Sequence, residues 1–83
     1  MTKVQTDLLT ALEEHPGAYL SCSRFTKVIR FSEPALNHAW GRTHGKLPAW
    51  VTVQALVRAG RLQPARVDGN RVAFRLTEAA QHG

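Results

Sequence analysis

The residues that could take part in catalysis or bind a metal are few and lie far apart in this sequence. None of the four histidines stands four residues from another, which is the spacing that a helical zinc site uses. Cys22 is the only cysteine, so it can form neither an internal disulfide nor, by itself, a zinc site. We therefore predict a protein without a metal or another cofactor. The histidines are His15, His38, His44 and His82.

The sequence also lacks a paired carboxylate, a glycine-rich phosphate loop and a nucleophile elbow. One catalytic arrangement stays open, because His38 or His44 could act as an acid–base group beside Arg42 or Lys46, as in a small ribonuclease toxin. Binding chemistry is better represented than catalytic chemistry, and we predict that the protein is not an enzyme.

Side chains suited to DNA are more numerous. Asn, Gln, Arg and Thr can pair with base edges in the major groove, and Lys and Arg contact phosphates. At the tip of a predicted hairpin, similar side chains could enter a minor groove or follow the phosphates. The candidate DNA-binding residues are Asn37, His38, Arg42, Lys46, Thr52, Gln54, Arg58, Arg66, Asn70 and Arg71.

The formal net charge of +5 is unevenly distributed along the chain. Residues 1–15 carry a net charge of −2, whereas residues 24–75 contain ten Lys or Arg against only Glu33 and Asp68. This segregation predicts that the first helix faces away from an anionic partner and that the middle of the chain faces towards it. The alternative is a basic surface that is merely solvated.

The N-terminal half contains signals for three helices. Thr2 and Gln5 have capping-box spacing ahead of a helix that buries leucines at helical intervals, and Pro16-Gly17 ends it. Residues 18–22 could form a short strand or an extended connection. Apolar residues then recur at helical spacing, which predicts a short helix over 23–30. Ser32 is the predicted N-cap of a helix over 33–43.

The helix over 33–43 is expected to bury Leu36, Ala39 and Trp40. A further helix is predicted over 48–59, with Val53, Leu56 and Val57 inward and Gly60 after its end. The β-branched residues in 50–57 leave a strand open as the alternative there.

In the C-terminal part of the chain, apolar residues recur at every second position, and this pattern predicts a β-hairpin over 62–76. Val72, Phe74 and Leu76 share one face, and Asp68-Gly69 supplies the tight turn. Pro64 lacks an amide donor, so its strand should lie at an edge or begin there. We expect one domain over 1–77 and a frayed tail over 78–83.

Helices followed by a basic hairpin resemble the winged helix-turn-helix family. Leu56 to Leu62 is similar to the end of a recognition helix that runs into a wing, with Asp68 to Arg71 as the wing tip; Ser32 to Trp40 is similar to the start of a recognition helix. The resemblance implies a mainly α fold of the α+β class with a C-terminal hairpin. It leaves open whether the helix over 33–43 or the helix over 48–59 reads DNA. The helix over 48–59 is preferred as the reader. If the helix over 33–43 were the reader, the segment 23–30 would be its partner, and Arg30 would stand in the turn between them, where the family usually has glycine.

These observations predict a sequence-specific, repressor-like regulator that acts by occupying a site on double-stranded DNA. A homodimer is expected, because one small module makes few base contacts. A cytoplasmic location is expected, because no apolar run approaches a membrane span and Asp7 interrupts a secretory pattern. Trp40 is expected in the core, whereas Trp50 could be core, stack on bases or contact a protein. The alternatives are a protein-interaction module on the same scaffold and an RNA-binding protein.

Overall fold

The computed structural model describes residues 1–77 as three helices and one four-stranded antiparallel sheet. The helices are α1 (Lys3–Glu13), α2 (Pro34–His44) and α3 (Trp50–Arg58). The strands are β1 (Leu20–Ser23), β2 (Ile29–Phe31), β3 (Leu62–Asp68) and β4 (Arg71–Leu76), in the spatial order β2-β1-β4-β3. The α+β class is confirmed, but the sheet has four strands where the sequence predicted a hairpin of two. The predicted fraying of 78–83 lies outside the described residues.

The capping box at the start of α1 is confirmed. Thr2 Oγ1 accepts a hydrogen bond from the Gln5 amide, and Gln5 Oε1 accepts one from the Thr2 amide, both at 3.2 Å. Each bond satisfies a backbone donor near the helix start, which fixes where α1 begins. Leu8, Leu9 and Leu12 are buried as predicted and form the contact of α1 with the rest of the core, whereas Val4, which the same helical spacing places on their face, is 39% exposed.

The predicted helix over 23–30 is wrong, because β1 and β2 form an antiparallel hairpin there. Phe25 is 77% exposed, whereas Ile29 and Phe31 are buried on either side of exposed Arg30. This alternation suits a strand, and β1 provides the partner that a strand requires. The turn between the strands places Lys27 at φ 59°, in the left-handed region.

The start of α2 also differs from the prediction. Its N-cap is Glu33, without a side-chain cap bond, whereas Ser32 Oγ accepts a hydrogen bond from the Tyr19 amide at 2.9 Å. Ser32 therefore joins the end of the β1–β2 hairpin instead of capping the helix. Leu36 and Trp40 are buried as expected, but Ala39 is exposed.

Residues 50–58 form a helix, so the strand alternative for this segment is wrong. In a strand Val51 and Val53 would lie on the same face, yet Val51 is 70% exposed and Val53 is 0% exposed. The helix begins at Trp50 instead of Pro48, with Ala49 as the N-cap. Gly60 follows the helix at φ 75°, a conformation that suits glycine.

The three helices cover one face of the sheet and build one hydrophobic cluster with it. Leu20 of β1 pairs in register with Phe31 of β2 and Phe74 of β4, and all three are buried. The predicted inward face of β4 is confirmed by buried Phe74 and Leu76. The core residues are Leu8, Leu9, Leu12, Leu20, Cys22, Ile29, Phe31, Leu36, Trp40, Val53, Leu56, Leu62, Phe74 and Leu76.

The two outer strands of the sheet are β2 and β3, and each has a feature that limits further pairing. Pro64 lies in β3, as the edge-strand prediction requires, and the register shifts between Pro64 and Arg66. On β2, the Asn37 carboxamide binds both backbone groups of Phe31: Oδ1 accepts from the amide at 2.8 Å, and Nδ2 donates to the carbonyl at 3.1 Å. Asn37 therefore takes the place of a neighbouring strand at this edge.

Replacement of Asn37 by Ala is expected to lower the free energy of unfolding by about 1–2 kcal/mol. The change leaves the amide and the carbonyl of Phe31 without their partner. Urea denaturation measures the loss. His38→Ala, which truncates an exposed neighbour on α2, is the matched control and should leave the unfolding midpoint nearly unchanged. Equal midpoints for the two variants would contradict the edge-closing role.

Candidate nucleic-acid interface

The face of the sheet opposite the helices is rich in arginine. Residues paired across antiparallel strands lie on the same face, and successive residues alternate between faces. Arg30 pairs with Ser21, which also pairs with Ala73, and Arg66 pairs with Ala73 as well. Further along, Arg71 pairs with Ser23, and Arg75 pairs with Gln63. We call this surface the arginine face; its four exposed arginines are Arg30, Arg66, Arg71 and Arg75.

Two of these arginines are held against the sheet by neighbouring side chains. Arg71 Nε donates a hydrogen bond to Ser21 Oγ at 2.7 Å. The Arg75 guanidinium carbon lies 5.4 Å from the centre of the Tyr19 ring, within the range of a cation–π contact. Both contacts restrict the side chain and leave its charge at the surface, so they orient the two cations before any ligand arrives.

Arg66 has a weaker partner. Its Nη2 lies 3.9 Å from Asp68 Oδ2, and both side chains are more than two-thirds exposed. An exposed pair at this distance contributes little stability, so a phosphate can replace the carboxylate. Asp68 is the acidic residue that the described strands place on the arginine face, and the face keeps a clear positive excess.

Two shallow depressions flank Ala73 on the arginine face. One, of about 300 Å³, lies between Arg66 and Arg75; the other, of about 240 Å³, lies between Arg66 and Arg71. The small side chain of Ala73 lines both, and Tyr19 closes them towards one side. Each depression has two guanidinium groups that can donate hydrogen bonds to an anion, but the Asp68 carboxylate also lines the second one, so the depression between Arg66 and Arg75 is the more favourable for an anion.

The turns of the two hairpins meet at one end of the sheet. The Arg24 amide donates a hydrogen bond to the Asn70 carbonyl at 2.7 Å, which joins the β1–β2 turn to the β3–β4 turn. We call this region, residues 24–28 with 69–70, the joined tips. It adds Arg24 to the basic end of the sheet near Arg71, whereas the ammonium group of Lys27, also in this region, lies over Trp50 on the helical side. The sequence interpretation missed both cations, because a helix over 23–30 gives no reason to bring them beside the second hairpin.

The candidate residues on α2 and in the loop after it do not belong to the arginine face. Asn37 is bound to the backbone of Phe31, so its carboxamide is occupied within the fold. His38 and Arg42 are exposed on α2, and Lys46 is exposed in the loop. These three side chains can contact a partner only on the helical side of the sheet.

The candidates on α3 are also divided. Thr52 is half-buried and lines a groove with Thr2 of the N-cap region of α1, whereas Gln54 lies about 200° around the helix on the other flank. Arg58 is exposed near the end of α3. Gln54 and Arg58, four residues apart, share one face of α3 with exposed Val51, whereas Thr52 lies on another face, so α3 presents two of its three predicted polar residues together. The structure thus brings together Arg66, Asn70 and Arg71 of the predicted contacts, all on the second hairpin.

The two tryptophans take different positions. Trp40 is in the core, as predicted, and stacks on His44 with ring centres 3.7 Å apart. Trp50 is half-buried against Phe74, and Lys27 Nζ lies 4.9 Å from the centre of its ring. Trp50 therefore connects α3 to the joined tips.

Within residues 1–77, no group of three or more His, Cys, Asp or Glu side chains could hold a metal ion. None of the helices described has the length and apolar character to cross a bilayer. Comparison with protein-family models, curated proteins and solved structures gives no match to this chain.

An acid-sensitive contact joins α1 to α2 on the helical side. Lys3 Nζ donates a hydrogen bond to Asp7 Oδ2 at 2.8 Å, and His44 Nε2 lies 3.1 Å from the same oxygen. These two partners, Lys3 first, lower the pKa of Asp7 below its ordinary value. Asp7 therefore contributes stability above its unfolded-state pKa, and this contribution is lost as the pH falls through the lowered pKa.

We expect the melting temperature of the wild type to fall more steeply than that of Asp7→Asn as the pH drops from about 5 to about 3. Protonation removes the charge that Lys3 stabilises, and the variant has no such charge to lose. Thermal denaturation followed by circular dichroism measures both curves. Glu13→Gln, an exposed change on the same helix, should retain the steep wild-type dependence. Parallel curves for the wild type and Asp7→Asn would show that the contact contributes nothing.

Proposed function

We propose that this protein is a regulator that binds double-stranded DNA through the arginine face and acts by occupying its site. The observation that carries the proposal is that three strands project four exposed arginines from the face of the sheet opposite the helices described in residues 1–77. Arginine donates hydrogen bonds to phosphate in a fixed planar geometry, which suits a repeated phosphate backbone.

The dimensions of the arginine face suit a duplex. Arg71 and Arg75 are four residues apart on β4, a separation of about 13 Å along a strand. This is close to the major-groove width of about 12 Å, so the two side chains can contact phosphates on opposite DNA strands. Arg30 lies two strands away from β4, which adds a contact about 10 Å to the side.

Single-stranded nucleic acid is a poorer fit to the same face. Proteins that bind single strands without sequence preference use exposed rings on which bases stack. The ring that the described residues contribute to the arginine face belongs to Tyr19, which is half-buried and lies under the Arg75 guanidinium. The face therefore offers phosphate contacts and little stacking surface.

A second arrangement uses the helices, as the resemblance to winged helix-turn-helix proteins suggests. Because the β1–β2 hairpin separates α1 from α2 in the chain, α2 has no helix directly before it, whereas α2 directly precedes α3. This order favours α3 as the reader, with Gln54 and Arg58 as its contacts. The arginine face is the better supported surface, because α3 exposes few polar side chains and the arginine face concentrates the charge.

Sequence-specific regulation would also require a longer contact than one module provides. Each protomer of this size contacts few base pairs, and a homodimer doubles the site and gives it two-fold symmetry. We therefore propose a homodimer on an inverted repeat. The joined tips, with Asn70 at the second turn, are the part of each protomer best shaped to reach into a groove.

Selection from a random duplex pool at two salt concentrations should enrich an inverted repeat, and affinity should fall steeply as salt rises. The double variant Arg71→Ala/Arg75→Ala is expected to weaken binding and to reduce the salt slope by about two phosphate contacts. Fluorescence anisotropy with a labelled duplex measures both quantities.

The matched control is Arg42→Ala/Arg58→Ala, which removes the same charge from the helical side of the sheet. It should leave the salt slope nearly unchanged. If this control lost more affinity for DNA than the arginine-face variant, the helices would be the DNA-binding surface. Salt-independent binding, or tighter binding to duplex RNA than to duplex DNA, would refute the proposal.

A further inference from the structure

Phe25 is the most exposed large apolar side chain in residues 1–77, at 77% exposure. It lies in the β1–β2 turn, where the chain could have a polar residue at no cost to the core. An exposed phenylalanine gains nothing from folding, because its ring stays in water. A single exposed apolar side chain is ordinary on a protein surface, but the position of Phe25 at the joined tips, beside the arginine face, makes its ring available to an occupant that also binds that face.

The turn that carries Phe25 is held in place by its neighbours. Ser23 Oγ accepts a hydrogen bond from the Thr26 amide at 3.3 Å, and the Ser23 carbonyl accepts one from the Lys27 amide at 3.0 Å. The Arg24 amide is bound to the second hairpin through Asn70. These bonds hold the backbone on both sides of Phe25, so little backbone entropy is lost when the ring is covered.

The surroundings of Phe25 favour a nucleic acid as that occupant. Arg24 precedes it, and Arg71 lies at the start of the adjoining strand β4. A ring flanked by cations matches a polymer that alternates apolar base faces with phosphates. A purely apolar protein pocket would leave these charges without partners as they lost water.

We propose, resting on the proposed function, that Phe25 is a wedge that inserts between neighbouring base pairs while Arg24 contacts a phosphate beside it. Apolar wedges of this kind unstack one base step and kink the duplex. Unstacking costs least where the step is already weak. The preferred substrate is therefore duplex DNA with a weakly stacked step, such as one beside an unpaired base.

The test compares two labelled duplexes of the same sequence, one fully paired and one with a single unpaired base, by fluorescence anisotropy. The wild type should bind the second about tenfold more tightly, the size of one base–aromatic stacking contact. Phe25→Ala should abolish this preference and keep the salt slope, whereas Phe25→Trp should retain the preference. Val51→Ala, which truncates another exposed apolar residue away from the tips, is the control and should behave as the wild type.

The outcomes separate the wedge from DNA binding itself. If the wild type binds both duplexes equally, or if Phe25→Ala keeps the preference, the wedge is overturned, and a steep salt slope still supports the arginine face. If the wild type has no salt-dependent affinity for either duplex, both proposals are overturned. Circular dichroism of Phe25→Ala establishes that the exposed substitution leaves the fold intact.

Discussion

The pairing of β1 with β4 is the constraint on which the rest of the structure depends. Its register places Leu20 opposite Phe74 and Ser21 opposite Ala73, which decides which side of every strand faces the helices. A shift by one residue would turn Arg71 and Arg75 into the core and expose Phe74. The burial of apolar residues on one face and the concentration of arginine on the other are therefore two results of a single register.

This pairing also explains why the first hairpin lies where it does. β1 has β4 on one side, and β2 adds a short strand on the other side, with its outer edge closed by Asn37. The same pairing brings the Arg24 amide to the Asn70 carbonyl, 46 residues away in sequence. The basic end of the sheet consequently combines cations from two hairpins that no local pattern connects.

Local signals were sufficient to predict the parts of the fold that depend on neighbouring residues. Thr2 and Gln5 predicted the start of α1, Gly60 predicted the end of α3, and Asp68-Gly69 predicted the second turn. The segment 23–30 was misinterpreted because Phe25, Val28 and Ile29 fit a helical period, and only the distant strand β4 makes the alternative favourable.

The candidate site could be predicted in part for the same reason. Arg66, Asn70 and Arg71 belong to a hairpin that the sequence identifies, and their grouping follows from the alternation of that hairpin. Asn37 has a side chain that could pair with a base, but its carboxamide binds the backbone of Phe31 and closes a sheet edge. This role depends on where β2 lies, which the local sequence does not indicate. Residue type alone does not distinguish a polar side chain that serves the fold from one that serves a ligand.

The concentration of arginine on one face has a cost that bears on function. Like charges that lie on neighbouring strands repel one another, and Asp68, which pairs in register with Arg71 and lies 3.9 Å from Arg66, offsets only part of this repulsion. Ser21 and Tyr19 position Arg71 and Arg75 without neutralising them. The DNA that we propose as the ligand would neutralise the face when it binds and so relieve this repulsion. Such a ligand would also raise the stability of the fold, because it binds the native register and not the unfolded chain.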